Sequence, residues 1–303
     1  MVAPIKRVAL VGGTHGGELT GVFLVKKFQQ FPHLIQRNGF ETVTLLANEK
    51  AIAMGRRYID TDLNRAFAPQ DLENRELVNY EQSIAKKIAR RIREEKIDFI
   101  IDLHSTTANM GLTIILSDNH PHLLQLAAYL TTINPKVKVL QHLLNKNASY
   151  LRSLVQLGIT IEVGAVANGL LDARLFQETE ELIHATLDYL ETDEQAQFAK
   201  ASANLNSGNS SFYRVLEKVD YPRNQQGEIQ AMIHPQLQFQ DYKPLHPGNP
   251  IFAGFDGKEI FYEGNKTVYP VFINEVAYYE KGIAMYFCEQ FHYLQLFKSD
   301  FTM

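Results

Sequence analysis

Two histidines and one glutamate stand where the chain could bind a metal ion. His15 and Glu18 form a His-x-x-Glu pair in the glycine-rich segment that follows the first predicted strand, at residues 8–11. His104 lies at the end of the most apolar predicted strand, and open α/β sheets place their sites at the carboxyl ends of strands. Two imidazoles and one carboxylate suit a catalytic zinc, which needs three protein ligands and an open fourth position. The sequence therefore predicts one zinc ion per chain, bound by these three residues.

The glycine-rich segment at residues 12–18 also invites comparison with nucleotide-binding loops. Its glycines do not follow the spacing of the dinucleotide-binding fingerprint, and Glu18 stands where a P-loop requires lysine. A carboxylate at that position repels phosphate, so a nucleotide-dependent oxidoreductase is disfavoured. Taken alone, the pair of His15 and Glu18 is also typical of a surface or capping contact, and only its combination with His104 favours a metal site.

Two more acidic residues lie at predicted strand ends. Asp102 precedes His104 by two residues, so both side chains point to one face of the strand and Asp102 can orient a ligand or a nearby cation. Glu162 lies in an apolar strand, where an acidic residue is costly to bury unless it is paired or functional. Burial would raise its pKa toward the range of a general base. Each residue also has a structural alternative. Asp102 would then be a strand-end carboxylate that binds a structural partner, and Glu162 would belong to a buried ion pair.

Cations and polar groups are concentrated at residues 56–65, in the sequence RRYIDTDLNR. Arginine suits a planar carboxylate because its guanidinium donates two parallel hydrogen bonds. Near a zinc site in an otherwise acidic protein, this segment predicts a small anionic substrate. The alternative is a cluster of salt bridges on the surface.

Short apolar segments that alternate with amphipathic ones carry these residues. Strands are predicted at residues 8–11, 42–46, 97–103, 112–116, 137–140 and 159–163, and helices at 19–31, 78–96, 123–133 and 171–191. This alternation predicts an α/β fold with a mainly parallel sheet flanked by helices. The pattern changes near residue 196, where a polar linker at 204–211 precedes short β-type segments separated by turns. We therefore predict a catalytic domain at 1–196 and a smaller β-rich domain at 197–303.

Composition excludes several classes of protein. The 303 residues carry a formal net charge of -4, which opposes a dedicated nucleic-acid-binding role. Cys288 is the only cysteine, so neither an intrachain disulfide nor a cysteine-based zinc cluster can form, and a reducing compartment fits best. The first residues are too polar for a signal peptide, and no segment approaches the roughly 20 apolar residues of a membrane span. A cytoplasmic protein without membrane partners is expected.

Six motifs together resemble a known family. They are GGTHGGELTG at 12–21, RYIDTDLNR at 57–65, DLHSTTANMG at 102–111, IEVG at 161–164, EKVDYPR at 217–223 and YPVFINEVAYYEK at 269–281. In this order, over essentially the whole chain, they are similar to the aspartoacylase/succinylglutamate desuccinylase family, whose fold is zinc carboxypeptidase-like. The resemblance implies hydrolysis of N-acyl-L-aspartate, most simply N-acetyl-L-aspartate to acetate and aspartate.

The resemblance also implies roles for individual residues at the reacting bond. His15, Glu18 and His104 would be the zinc ligands. Glu162 would be the general base that activates water and then protonates the leaving amine, and Arg57 would polarise the carbonyl and stabilise the oxyanion.

Further residues would bind the small-molecule substrate. Asn64, Arg65 and Tyr278 would hold the α-carboxylate of the amino acid, and Arg152 would pair with the side-chain carboxylate of an aspartyl group. Glu275 would help to order the site from the carboxy-terminal domain, which would then cover the active-site cleft.

One position departs from the family pattern. The family has a tyrosine four residues before Arg152 that also contacts the side-chain carboxylate, whereas this chain has Ala148, with Tyr150 displaced nearby. A deacylase of aromatic or cysteine-conjugated N-acyl amino acids is therefore one alternative, and a non-catalytic carboxylate-binding protein of the same fold is another. The sequence is compatible with a homo-oligomer, and cobalt or iron would fit the same ligands as zinc.

Overall fold

The computed structural model describes residues 4–74, 76, 79–143, 149–192 and 212–292. Its strands are β1 (Arg7–Gly12), β2 (Glu41–Leu46), β3 (Phe99–Ser105), β4 (Gly111–Leu116), β5 (Val137–Gln141), β6 (Leu157–Gly164), β7 (Phe212–Val219), β8 (Ala231–Ile233), β9 (Pro250–Gly254), β10 (Glu259–Phe261), β11 (Tyr269–Val271) and β12 (Met285–Phe291). The α-helices are α1 (Leu19–Gln30), α2 (Glu49–Ala53), α3 (Pro69–Glu73), α4 (Tyr80–Glu94), α5 (Pro121–Ile133) and α6 (Ala173–Glu191). Short 3₁₀ helices occur at Pro32–Ile35, Leu63–Arg65, Leu151–Leu154 and Val276–Lys281.

Nine strands form one sheet, in the order β11-β12-β7-β5-β4-β6-β3-β1-β2. The pairs β1/β2, β1/β3, β3/β6, β4/β5 and β5/β7 are parallel, and the pairs β4/β6, β7/β12 and β11/β12 are antiparallel. Strands β10, β9 and β8 form a second, antiparallel sheet. The predicted class, α/β with a mixed, mainly parallel sheet and a β-rich carboxy-terminal part, is confirmed.

The central strand β3 separates two hydrophobic clusters. Ile101 and Leu103 pack into the cluster that includes residues of α1, α5 and α6, whereas Ile100 packs with residues of α4 on the opposite face. Because side chains alternate across a strand, Asp102 and His104 lie on the same face as Ile100. The candidate site is therefore built on the face that α4 covers, and the other face forms the larger apolar core.

The helix predicted at residues 78–96 forms over Tyr80–Glu94, and Val78 lies outside the described residues. The side chain of Asn79 caps the amino end by accepting a hydrogen bond from the N–H of Gln82. The helix ends before Lys96, which adopts a left-handed φ of 51°. No helix among the described residues has the length and apolar character needed to cross a membrane.

The glycines between β1 and α1 are required by close packing. A Cβ atom on Gly16 would lie 2.2 Å from the carbonyl carbon of Ala51 in α2, and Gly13 has a left-handed φ of +71°. The N–H of Gly16 donates to the carbonyl of Arg57 at 3.1 Å. This loop is therefore pressed against α2 and the segment that follows it, which fixes the positions of His15 and Glu18.

The predicted domain boundary at 196/197 falls within residues 193–211, outside the described residues, so the division into 1–196 and 197–303 stays a prediction. Beyond that gap, β7 pairs in parallel with β5, with Val139 opposite Phe212. Strands β12 and β11 continue outward from β7. The carboxy-terminal third thus adds three strands to the main sheet as well as forming the small second sheet.

Candidate active site

Three buried side chains converge at the carboxyl ends of β1 and β3. Nδ1 of His15 lies 2.6 Å from Oε1 of Glu18, and Nδ1 of His104 lies 3.0 Å from Oε2 of the same carboxylate. The two Nδ1 atoms are 3.2 Å apart, and one potential ligand atom from each residue lies within 4.8 Å of the others. The predicted ligands are therefore together, as a group that could hold a metal ion.

The outer nitrogens of both imidazoles contact carboxylates. Nε2 of His104 lies 2.9 Å from Oδ2 of Asp102, whose other oxygen accepts a hydrogen bond from the hydroxyl of Thr14 at 2.9 Å. Nε2 of His15 lies 2.9 Å from Oδ1 of Asp62. Because a carboxylate only accepts, Nε2 of each ring donates to its carboxylate, and a cation would bind at Nδ1 in place of the proton that Nδ1 shares with Glu18. The sequence predicts that Asp102 orients a ligand or a nearby cation, whereas Asp62 was not identified from the sequence, although it lies in the motif at 57–65.

Charges within the group shift its proton affinities strongly. Burial would raise the pKa of Glu18, but the imidazoles of His15 and His104 hold it well below its ordinary value. Burial would lower the pKa of His104, but the carboxylates of Asp102 and Glu18 raise it well above its ordinary value. Protons and a metal ion would therefore compete for these nitrogens.

A pocket opens from the group across the sheet face. Its lining residues are His15, Glu18, Arg57, Asn64, Arg65, His104, Ser105, Thr106, Ile115, His142, Tyr150, Arg152, Thr160, Glu162, Phe272, Glu275, Ala277, Tyr278 and Tyr286. The strand register sets the spacing of the residues that line the pocket. His104 and Glu162 are opposite one another in one row, and Thr160 and Ile115 are opposite one another two residues earlier in β6. Two residues along a strand span about 7 Å.

Glu162 lies beside the group of His15, Glu18 and His104, directly opposite His104 in the register of β3 and β6. Burial raises its pKa to about 8, with Glu18 and Glu275 adding to the shift and His104 and Arg57 opposing it. Among the described residues, Glu162 has no ion pair. The alternative of a buried ion pair therefore finds no support there, and the carboxyl group faces the pocket.

The predicted cationic segment borders the same group. Nη1 of Arg57 donates to Oε1 of Glu18 at 2.8 Å, and its Nη2 lies 3.6 Å from Asp62. Asn64 accepts a hydrogen bond from the N–H of Leu151 at 2.9 Å and lies 3.5 Å from Nε2 of His104. Arg57, Asn64 and Arg65 line the pocket, whereas Arg56, Asp60 and Thr61 are exposed, so part of the segment faces the site and part of it the surface.

Two guanidinium groups flank one tyrosine in the pocket wall. The guanidinium carbons of Arg65 and Arg152 lie 4.9 Å and 4.7 Å from the ring centre of Tyr150. Arg152 is buried and donates from Nη1 to the hydroxyl of Thr160 at 2.9 Å. Its Nε is buried without a hydrogen-bond partner in the described structure, and burial lowers its pKa. Ala148 lies outside the described residues, whereas Tyr150 is part of the pocket wall.

The carboxy-terminal residues close the pocket on one side. Oε2 of Glu275 accepts hydrogen bonds from the hydroxyl of Thr106 and from both the N–H and the hydroxyl of Thr107, the latter two at 2.8 Å. Its Oε1 accepts from the N–H of Ala277 at 3.1 Å. Glu275 caps the 3₁₀ helix Val276–Lys281, which contains Tyr278, and Tyr278 lines the pocket. Glu275 thus fastens this helix to the loop after β3.

The pocket residues that were not identified from the sequence include His142 and Tyr286. His142 directly follows β5, and its ring contacts the ring of Tyr286 in β12 at a centroid distance of 5.1 Å. An aromatic residue in a strand, such as Tyr286, is typical of the hydrophobic core. The sequence offered no signal that β12 would reach the site.

Comparison with known proteins finds matches over nearly the whole chain. The model of the succinylglutamate desuccinylase/aspartoacylase catalytic domain matches residues 4–190, and that of the AstE/AspA barrel-sandwich hybrid domain matches residues 209–290. A probable aspartoacylase of Nostoc sp. is 56% identical over 94% of this chain and 97% of its own. The human N-acyl-aromatic-L-amino acid amidohydrolase (carboxylate-forming) is 38% identical over 95% and 92%. The crystal structure of murine aminoacylase 3 superposes with a TM-score of 0.86 at 35% identity, covering 96% and 97%.

Proposed function

The chain belongs to the succinylglutamate desuccinylase/aspartoacylase family, and from that premise we propose that it is a zinc-dependent amidohydrolase of N-acyl-L-aspartate. The simplest substrate is N-acetyl-L-aspartate, which water would cleave to acetate and L-aspartate. The names of its relatives support the coarser assignment, a hydrolase that deacylates N-acyl amino acids.

One arrangement carries the proposal. A single pocket holds Glu162 beside the candidate metal-binding group and, at its other end, Nε of Arg152, which has no hydrogen-bond partner among the described residues. A buried guanidinium nitrogen without a partner is costly unless a ligand supplies one. The distance of about 7 Å along β6 between Thr160, which contacts Arg152, and Glu162 suits a substrate that presents an amide to one end and a carboxylate to the other.

The donor set fits zinc. His15, His104 and Glu18 offer two imidazole nitrogens and a carboxylate, and the hydrogen bonds of Asp62 and Asp102 keep each Nδ1 available. When bound, zinc supplies a Lewis acid that polarises the carbonyl and makes water more acidic.

The residues of the chain move the proton and stabilise the charge. The carboxylate of Glu162 takes a proton from the water that attacks the amide carbon, and gives it to the amide nitrogen as the carbon–nitrogen bond breaks. The guanidinium of Arg57 donates hydrogen bonds to the carbonyl oxygen as negative charge develops there. The second proton of the water also passes to the amine, so the products are a carboxylate and an ammonium group, and atoms and protons balance.

Binding of the amino acid uses separate cations. Asn64, Arg65 and Tyr278 would hold the α-carboxylate, and Arg152 would hold the side-chain carboxylate. An uncharged side chain would leave Arg152 unpaired, which disfavours that substrate.

A second candidate is a deacylase of N-acyl aromatic amino acids. Phe272, Tyr278 and Tyr286 line the pocket, and the human relative acts on N-acyl-aromatic amino acids by its name. These rings offer apolar contact area to an aromatic side chain. The guanidinium of Arg152 argues against this candidate.

The test is kcat/KM for N-acetyl-L-aspartate and N-acetyl-L-tyrosine on protein with quantified zinc. We expect a strong preference for the aspartyl substrate. A preference for the tyrosyl substrate would keep the hydrolytic assignment and replace the first candidate by the second. No turnover of either substrate at one zinc per chain would refute both.

A further inference from the structure

His142 lines the pocket, and the proposed function leaves its chemistry unused. It directly follows β5, and its N–H donates to the carbonyl of Leu116 at 2.8 Å, which holds it at the end of the β4/β5 pair. The ring lines the pocket and meets Tyr286 nearly perpendicularly, at an interplanar angle of 82°. Both contacts fix the imidazole in place before any ligand binds.

The charged groups that act on this imidazole are cations. Burial, together with repulsion from Arg152 and Arg65, lowers the pKa of His142 to about 4, and only a hydrogen bond with its own backbone opposes the shift. Tyr286, which packs against the ring, is a neutral phenol because burial raises its pKa to about 12. The imidazole is therefore neutral near pH 7, with one N–H donor and one acceptor.

Two buried nitrogens at this end of the pocket lack partners within the described part of the chain. They are Nδ1 of His142 and Nε of Arg152. A neutral imidazole and a guanidinium in one wall match a carboxylate, which accepts a hydrogen bond from each. An apolar group at the same place would leave polar nitrogens unpaired at a cost of roughly 10-fold or more in binding.

We propose that His142 is a specificity-determining residue that donates a hydrogen bond to the side-chain carboxylate of the substrate, beside Arg152. This inference rests on the proposed function and adds to it a second contact for the acidic side chain. The histidine contributes selectivity for that carboxylate, whereas the metal group and Glu162, at the other end of the pocket, act on the amide.

The test compares His142→Phe, which keeps the ring contact with Tyr286, with His142→Asn and His142→Gln, which return an amide near one ring nitrogen or the other. For His142→Phe, we expect the ratio of kcat/KM for N-acetyl-L-aspartate to that for N-acetylglycine to fall about 10-fold, mainly through KM. N-acetylglycine has no side-chain carboxylate and so serves as the matched substrate. One of the two amide variants should restore most of the ratio. An unchanged ratio in His142→Phe would overturn the proposal.

A binding measurement separates this inference from the proposed function. Calorimetric titration with succinate, a dicarboxylate, needs no turnover, and His142→Phe should weaken succinate binding about 10-fold. Wild-type protein that binds succinate without turning over any N-acyl amino acid would refute the function and leave this contact standing. Equal succinate affinity in both proteins, or no affinity in the wild type, would refute the contact. Should His142→Phe not fold, His142→Leu against His142→Gln decides in the same way.

Discussion

His15 and Asp62 are joined by a contact of 2.9 Å between Nε2 and Oδ1, across 47 positions of the sequence. The same carboxylate accepts a hydrogen bond from the ammonium group of Lys281 at 2.8 Å. Burial would raise the pKa of Asp62, but His15, Arg57 and Lys281 together lower it, so the carboxylate is charged. Asp62 thus ties the orientation of His15, a proposed metal ligand, to the 3₁₀ helix that closes the pocket.

Replacing Asp62 should weaken metal binding. Asp62→Ala removes the group that fixes the imidazole of His15, and such losses typically cost about 10- to 100-fold in metal affinity. Competition with a fluorescent zinc chelator measures the dissociation constant. Asp60→Ala is the matched control, because Asp60 lies in the same motif and accepts a hydrogen bond from the N–H of Tyr80 at 2.9 Å, away from His15. Equal zinc loss in both variants would contradict a specific role for Asp62.

Arg152 should select the acidic substrate. Arg152→Leu removes a buried guanidinium and should lower kcat/KM for N-acetyl-L-aspartate by about 100-fold, because a charge-assisted pair is lost. N-acetyl-L-tyrosine should be affected far less, since its side chain has no carboxylate. Steady-state kinetics on both substrates measure the ratio, and equal losses would assign Arg152 a structural role instead.

Glu275 should stabilise the fold more than its exposed neighbour Glu280. Glu275→Ala leaves the N–H groups of Thr107 and Ala277 without their acceptor, and we expect a loss of about 3 kcal/mol in the free energy of unfolding. Glu280→Ala removes an exposed hydrogen bond from Tyr58 and should cost less than about 1 kcal/mol. Urea unfolding monitored by circular dichroism compares them. Equal losses in the free energy of unfolding would mean that Glu275 does not stabilise the fold through these hydrogen bonds.

The neutral state of His142 predicts a pH dependence of stability. Its folded pKa of about 4 lies below the ordinary value of 6.5, so the unfolded chain binds a proton first as the pH falls. The contribution of His142 to the free energy of unfolding is complete above pH 6.5. As the pH falls from 6.5 to 4, the free energy of unfolding decreases by about 3 kcal/mol. The unfolding free energy of wild type minus that of His142→Gln should therefore decrease over this window. A flat difference would show that His142 is not held neutral.

Much of the site could be predicted from the sequence because its parts follow strands. His15 and Glu18 come after β1, and His104 ends β3, so the rule for strand ends brings them together without knowledge of the topology. Glu162 was conspicuous as an acidic residue in an apolar strand. The α/β class followed from the same alternation of strands and helices.

What the sequence did not reveal depends on contacts between distant segments. Asp62 meets His15 only because the loop of residues 56–65 folds over the glycine-rich segment, whose Gly16 bonds to Arg57. His142 and Tyr286 meet because β7 pairs with β5 and brings β12 to the sheet. Such pairings between distant strands leave no local signal.

The most direct test of the central claim is the release of acetate and aspartate from N-acetyl-L-aspartate by wild-type and Glu162→Gln protein, each with its zinc content measured. We predict turnover by the wild type at one zinc per chain, and a decrease of about 1,000-fold in kcat for the variant with its zinc retained. Near wild-type turnover in Glu162→Gln, or no product from fully zinc-loaded wild type, would contradict the account.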